Sequence, residues 1–300
     1  MSNKFQKILG ILFVGLLAVV VFPHLGFGKK EEPKVNFFEG FGKDSVEEIF
    51  IESGSSGAVL LTKTNGLWEF DGRKVGDSQI AQLLLAFENT EILDPVSLNS
   101  ENHERLGISE ERGYKLNITK GGEVFEFFVG GRTPDMQKYY VRKANEDTVY
   151  MATGDLRPLV IRSKDVWWDK IVAAVPFASV GKVEVSSSVN FEVVKKDDGT
   201  WVKSLWGTET ELEEDAKTSL GSVFSPLRGS RFLGEAELAE FNNDFYKDSI
   251  KIYDAGGNIL ANLAVSHRNE GIYWVQNMEP NPESIGDVME ITGLEFLFGL

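Results

Sequence analysis

The sequence predicts an α+β fold: an N-terminal transmembrane helix followed by two tandem copies of a mostly antiparallel β-sheet domain, with one main helix in each copy. Three observations predict it. The chain opens on an apolar run, period-two apolar stretches joined by Gly-rich turns dominate the remainder, and those stretches recur at a nearly fixed spacing.

The opening run follows Lys4 and Lys7 and is unbroken from Ile8 to Phe22; Pro23 and His24 interrupt it, and apolar residues resume to Phe27. As a helix, Ile8 to Phe27 rises about 30 Å, enough to cross the hydrocarbon core. A cleaved secretory signal is the competing reading, and the lack of an A-x-A-like site favours the anchor. We therefore expect residues 1–28 to be a single-pass membrane anchor, with the C-terminal domains extracytoplasmic. Residues 29–44 read as a linker in which Phe37, Phe38 and Phe41 pack beneath their own domain.

The two copies are expected at residues 45–175 and 176–300. Val46, Ile49 and Ile51 return as Val180, Val183 and Val185, an offset of 134 at each. "TNGLWEF" at Thr64 returns as "DDGTWVK" at Asp197, and "YYV" at Tyr139 as "YWV" at Tyr273. In the first copy, strands are expected near Val46–Glu52, Ala58–Lys63 and Leu67–Phe70. Asp77 reads as the N-cap of a helix whose Ile80, Leu83, Leu84 and Phe87 follow helical spacing. A loop holding Pro95 comes next, then a short helix capped by Ser100, then strands Tyr114–Thr119 and Val124–Val129 about a "KGG" turn, and a further pair at "KYYVRK" and "DTVYMA". The second copy repeats the order, with helices at Glu211–Phe224 and Glu235–Phe241.

All 46 acidic residues lie beyond Gly28, and of the 31 basic residues only Lys4 and Lys7 precede it, so the remainder carries about −17. Phosphate backbones repel such a surface, and nucleic acid is not expected as a partner. With no cysteine there is no thiolate chemistry, disulfide or lipid attachment. Only His24, His103 and His267 are present, the first in the expected anchor and the other two in noncorresponding places of the two copies, and no G-x-S-x-G or H-E-x-x-H occurs. No cofactor or metal is expected, and the chain reads as a non-enzymatic protein. The aromatic residues Tyr139, Tyr140, Trp167, Trp168 and Trp274 are the candidate partner-binding residues, as a stacking or docking platform; Trp68 and Trp201, at matching places, read as core.

"GGRTPDMQKYYVRKANEDTVY", Gly130 to Tyr150, and "DVWWDKIV" after it give the chain a resemblance to a bacterial membrane-anchored family of unknown function. Repeats of that family carry a Trp on an early strand, a Gly-x-x-Thr-Pro turn before Tyr-Tyr-Val-Arg, and a Trp-x-Asp-Lys close. Their genes often stand beside ABC-transporter permeases of the gliding-motility type. Here the family's Tyr-Gly-Leu turn reads "RLGIS", and the second copy has "SHRNEG" in place of Thr-Pro. The resemblance implies an extracytoplasmic accessory subunit of an ABC-type transport complex, bound to its membrane subunits, with no catalytic residues to carry over. The alternative is a cell-envelope binding module for glycan or peptide.

Overall fold

Apolar residues at every second position give each strand one face for a core, and in the computed structural model the strands assemble into two nine-stranded sheets. The structure describes residues 37–53, 57–224, 226–269, 271–279 and 287–295. The expected anchor at 1–28 lies outside them; among the described residues no helix is long and apolar enough to cross a membrane.

The first sheet is built from β1 (Val46–Ser53), β2 (Gly57–Thr64), β3 (Leu67–Phe70), β4 (Arg73–Lys74), β5 (Glu91–Ser97), β6 (Tyr114–Lys120), β7 (Glu123–Arg132), β8 (Tyr139–Lys143) and β9 (Val149–Thr153). Its order is β4-β3-β2-β1-β6-β7-β8-β9-β5. After the short ribbon strand β10 (Ile171–Ala173), the second sheet takes β11 (Lys182–Ser186), β12 (Phe191–Lys195), β13 (Trp201–Leu205), β14 (Thr208–Glu211), β16 (Arg231–Phe232), β17 (Asp248–Tyr253), β18 (Ile259–Asn269), β19 (Ile272–Asn277) and β20 (Met289–Thr292). The order β14-β13-β12-β11-β17-β18-β19-β20-β16 repeats that of the first, and every pairing in both is antiparallel.

Registers match as well. Ile49 lies between Leu61 and Ile118, and Val183 between Val193 and Ile252. Val141 faces Val129, and Val275 faces Val265. Helix α1 (Asp77–Asn89) buries Ile80, Leu83, Leu84 and Phe87 against the first sheet; α2 (Leu156–Val160) packs beside it. Helices α3 (Glu214–Phe224) and α4 (Glu235–Asn243) belong to the second half, where Leu220 and Phe241 are buried.

Three expectations are corrected in detail. Asp77 is the first helical residue rather than the N-cap, which is Gly76, and its carboxylate sits in the first turn, where the helix dipole favours it. The stretch around Pro95 is strand β5 rather than a loop. It is the outermost strand of its sheet and pairs irregularly with β9, the setting in which proline's missing N–H is tolerated. The short helix near Ser100 is a single 3₁₀ turn, capped by Asn99, whose side chain accepts the Glu101 N–H.

Phe37, Phe38 and Phe41 are buried, so the end of the segment read as linker contributes to the first core. Phe38 stacks on Phe87 (5.7 Å between centroids) and tilts against Phe127 (4.8 Å), and Phe41 meets Phe125 edge-on. Such pairs add about 0.5–1.5 kcal/mol beyond the area they bury.

Tyr139 gives this packing a pH signature. Its buried hydroxyl shares a hydrogen bond with Thr90 Oγ1 and donates to the Thr153 carbonyl, each at 3.4 Å. Burial pushes the phenol up to about 12 from its ordinary 10.0, against the smaller opposing effect of Thr90. A folded value above the unfolded one means that the contribution is intact below pH 10 and is lost as pH climbs through about 12. Melting temperature should therefore fall more steeply over that interval in the wild type than in Tyr139→Phe. Parallel declines would show that another group governs the alkaline limb.

Candidate functional site

A strand that outruns its neighbour leaves main-chain donors and acceptors unpaired. β7 does this. Its pairing with β8 begins at Phe127 opposite Lys143, whereas β7 itself starts at Glu123 and pairs with β6 along that whole stretch. The last contact on the β8 side is the Ala144 N–H donating to the Glu126 carbonyl at 3.0 Å. Backbone groups alternate sides along a strand, so Val124 is the next residue to face that side, and no described strand pairs with it there.

A groove of about 1060 Å³ surrounds this free edge. Phe37, Phe125 and Phe127 line one side; Val124, Phe128 and Gly113 line the other, and Val124 is exposed. Glu52, Glu110, Glu123 and Glu126 stand about it with Lys115 and Lys143, which leaves two uncompensated negative charges. Lys115 reaches Glu126 at 3.9 Å, and Lys143 pairs with Glu146 at 3.0 Å while lying over the Phe37 ring at 5.1 Å. The edge therefore offers hydrogen bonds from its main chain, an apolar floor and a net acidic rim.

Beyond the groove, the sheet's outer face is closed by the segment between β5 and β6. Leu106 and Ile108 cover Phe128, Val149 and Tyr140. Gly130 permits this approach, since a Cβ there would meet the Gly107 carbonyl at 2.9 Å. The buried Arg142 lies over the Phe128 ring at 4.2 Å and donates to the Ile108 carbonyl at 3.1 Å; the same desolvation holds its guanidinium below the usual arginine range. In the second half, α4 covers the equivalent face with Phe241 against Trp274, and Arg268 lies over the Trp274 ring at 3.9 Å.

The sequence-predicted aromatic platform is not an exposed surface. Tyr139, Trp167 and Trp274 are buried, Tyr140 packs beneath the covering loop, and Trp168 is half-buried in the joint between the two halves. There its indole N–H donates to the Phe70 carbonyl at 3.0 Å, its ring stacks on Phe70 at 5.6 Å and meets Phe232 edge-on, and Arg73 sits over it before pairing with Asp287 at 2.8 Å. "WWDK" is thus a fastening. Gly76 donates to the Trp167 carbonyl, Asp169 N–H to the Lys74 carbonyl, and Lys170 to the Ser230 carbonyl. β10 then pairs with β15 (Leu227–Arg228) of the second half. The Thr-Pro turn is likewise structural: Thr133 is buried, and its hydroxyl oxygen accepts the Lys138 N–H.

The histidines have structural partners. His103 meets the Asp147 carbonyl at 2.9 Å, and His267 meets Asp248 at 2.6 Å beside the edge of Tyr273. His24 lies outside the described residues. Among the described residues, no group of three or more His, Cys, Asp or Glu side chains is placed to hold a metal ion.

The free edge of β7 had a weak sign in the sequence: the "KGG" hairpin leads into ten strand residues in β7, while β8 has only five before Ala144. Among known proteins, a family model described as "Domain of unknown function (DUF4340)" matches residues 69–244, from within β3 to the residue after α4. No curated protein and no solved structure matches the chain.

Proposed function

We propose, from the premise that the chain belongs to the DUF4340 family, that it is a membrane-tethered, extracytoplasmic, non-enzymatic subunit that binds a partner protein by adding one of the partner's strands to the free edge of β7. We read its two halves as copies of one domain, a reading supported by their equal strand order and registers. The partner we expect is a membrane subunit of an ABC-type transporter, as the resemblance of "GGRTPDMQKYYVRK" and "WWDK" implies.

The observation that carries the binding mode is the stretch Glu123–Phe125, which no described strand pairs on the β8 side, beside an open groove. Strand addition draws affinity from main-chain hydrogen bonds and specificity from pockets for alternate side chains. Phe37 and Phe127 supply an apolar pocket on one side of this edge, and the acidic rim selects a strand bearing Lys or Arg. Exposed edges are otherwise a route to aggregation, and the charges of Glu123 and Glu126 blunt that route for sequences lacking the complementary basic residues.

The test is a photo-cross-linker at Asn145, exposed in the lining of the groove, of the full chain in native membranes. The expected result is an adduct with a membrane protein that Val124→Pro eliminates. Proline removes one outward N–H at an edge position, where its stability cost is about 1 kcal/mol or less. A wild-type chain giving no protein adduct but binding glycan at this groove would replace this reading with that of an envelope binding module.

A further inference from the structure

Two-residue hairpins with both residues at positive φ strongly favour Asn-Gly and Asp-Gly, whose short side chains tolerate the left-handed backbone. The first sheet follows the rule, with Asn65-Gly66 between β2 and β3 and Asp71-Gly72 between β3 and β4. The second sheet breaks it. Its hairpin between β13 and β14 carries Trp206 (φ 49°) before Gly207 (φ 82°), and the Trp206 side chain is 85% exposed, so no packing offsets the unfavourable backbone.

Trp206 does not stand apart. Register places it beside Asn190 at one end of the sheet: Ser204 faces Glu192, Val185 faces Phe191, and Ser186 faces Ser249. The same end therefore carries the Ser187–Asn190 turn, with exposed Val189, and the Phe245-Tyr246 pair preceding β17. Phe245 is 91% exposed and Tyr246 93%. Three strand spacings separate β13 from β17, so the row spans about 14 Å.

The tips are ordered by their own hydrogen bonds. The Asp244 carboxylate accepts the Tyr246 N–H at 3.0 Å and the Ser266 hydroxyl, and the Asn190 side chain accepts the Ser187 N–H at 3.1 Å.

We infer that this end of the second sheet inserts its aromatic tips into the interfacial layer of a zwitterionic bilayer. Trp and Tyr favour that depth because an amphipathic ring satisfies both its apolar body and its polar edge there. Trp206, Val189 and the Phe245-Tyr246 pair form separate tips, with Ser187, Ser188 and Asn190 between them, so a fluid interface can close around each tip without a matching pocket. Asp244, Asp248 and Glu209 at the same end disfavour an anionic surface. The inference rests on the membrane-tethered reading, to which it adds a second point of contact that fixes the orientation of the domains.

The molecule carries its own probe. Of the six tryptophans, Trp68, Trp167, Trp201 and Trp274 are buried and Trp168 is half-buried, which leaves Trp206 as the solvent-facing emitter; residues 1–36 contain none. Full-length protein reconstituted in phosphatidylcholine vesicles should show its red-emitting fluorescence component quenched by brominated acyl chains. Trp206→Phe should lose that quenching, and Phe245→Ser with Tyr246→Ser should weaken it while the protein's melting is unchanged. Vesicle-bound protein whose Trp206 stays open to aqueous acrylamide and untouched by brominated lipid overturns the inference and leaves the tether standing. Protein that fails to float with the vesicles at all overturns both. A cross-linker at Tyr246 that captures a protein in native membranes, with no lipid quenching, assigns the tips to a protein partner and overturns it as well.

Discussion

Trp201→Ala is expected to destabilise the second half by about 3–5 kcal/mol, the cost of emptying a large aromatic site that cannot collapse around the deficit. The ring is buried and stacks on Phe177 at 5.1 Å with 14° between planes. It stands at the start of β13 opposite Lys195, as Trp68 stands on β3 opposite Lys63. Thermal melting of the variant measures the effect. An unchanged midpoint would mean that the indole is held only at its rim and that the stack on Phe177 contributes nothing.

Asp169→Ala is expected to cost about 1–3 kcal/mol, because it takes the acceptor from the Ile171 N–H and the buried counter-charge from Lys74, which keeps only the exposed Asp77. The Asp169 carboxylate is buried between Lys74 of the first half, at 3.5 Å, and Arg228 of the second, at 4.0 Å, and it accepts the Ile171 N–H at 3.2 Å. Because these partners come from both halves, calorimetry of the variant should resolve two unfolding transitions where the wild type gives one. Asp169→Asn keeps an acceptor for Ile171 and should recover part of the loss. A single transition at the wild-type temperature in both variants would make Asp169 a bystander of the joint.

Much of the fold could be read from spacing alone. The spacing of Val46, Ile49 and Ile51 against Val180, Val183 and Val185 marks β1 and β11, and each of those strands holds the fourth place in its nine-stranded sheet. Short-range patterns marked the β2–β3 and β6–β7 hairpins because their turn residues are local, and passed over the hairpins that lead into the short strands β4 and β14. β5 and β16 escaped notice for a physical reason: each pairs with a strand more than fifty residues later, so its partner, not its own sequence, makes it a strand. The aromatic residues were misleading for a related reason. "YYV" and "WWDK" look like a surface because their neighbours are polar, but the cover over Tyr140, Trp167 and Trp274 comes from distant segments whose approach no local pattern records.

The candidate site was the least legible part. The free edge of β7 exists because β8 turns away at Ala144, and the length of one strand relative to its neighbour is a property of the pair. Trp206 was legible in principle, as a tryptophan before glycine in a two-residue turn, and its meaning came only from knowing which other tips share its end of the sheet.

The place of Trp167 in the chain sets an order of events during synthesis. Its ring is nearly inaccessible within the first core, and its carbonyl receives the Gly76 N–H at the start of α1, some ninety residues earlier. A polypeptide made from its amino end presents the whole first sheet, Val46 to Thr153, before the residue that seals it has arrived. Until then the cleft awaiting the indole stays open to water, and the half-built domain is the species on which a chaperone or a protease has its opportunity to act.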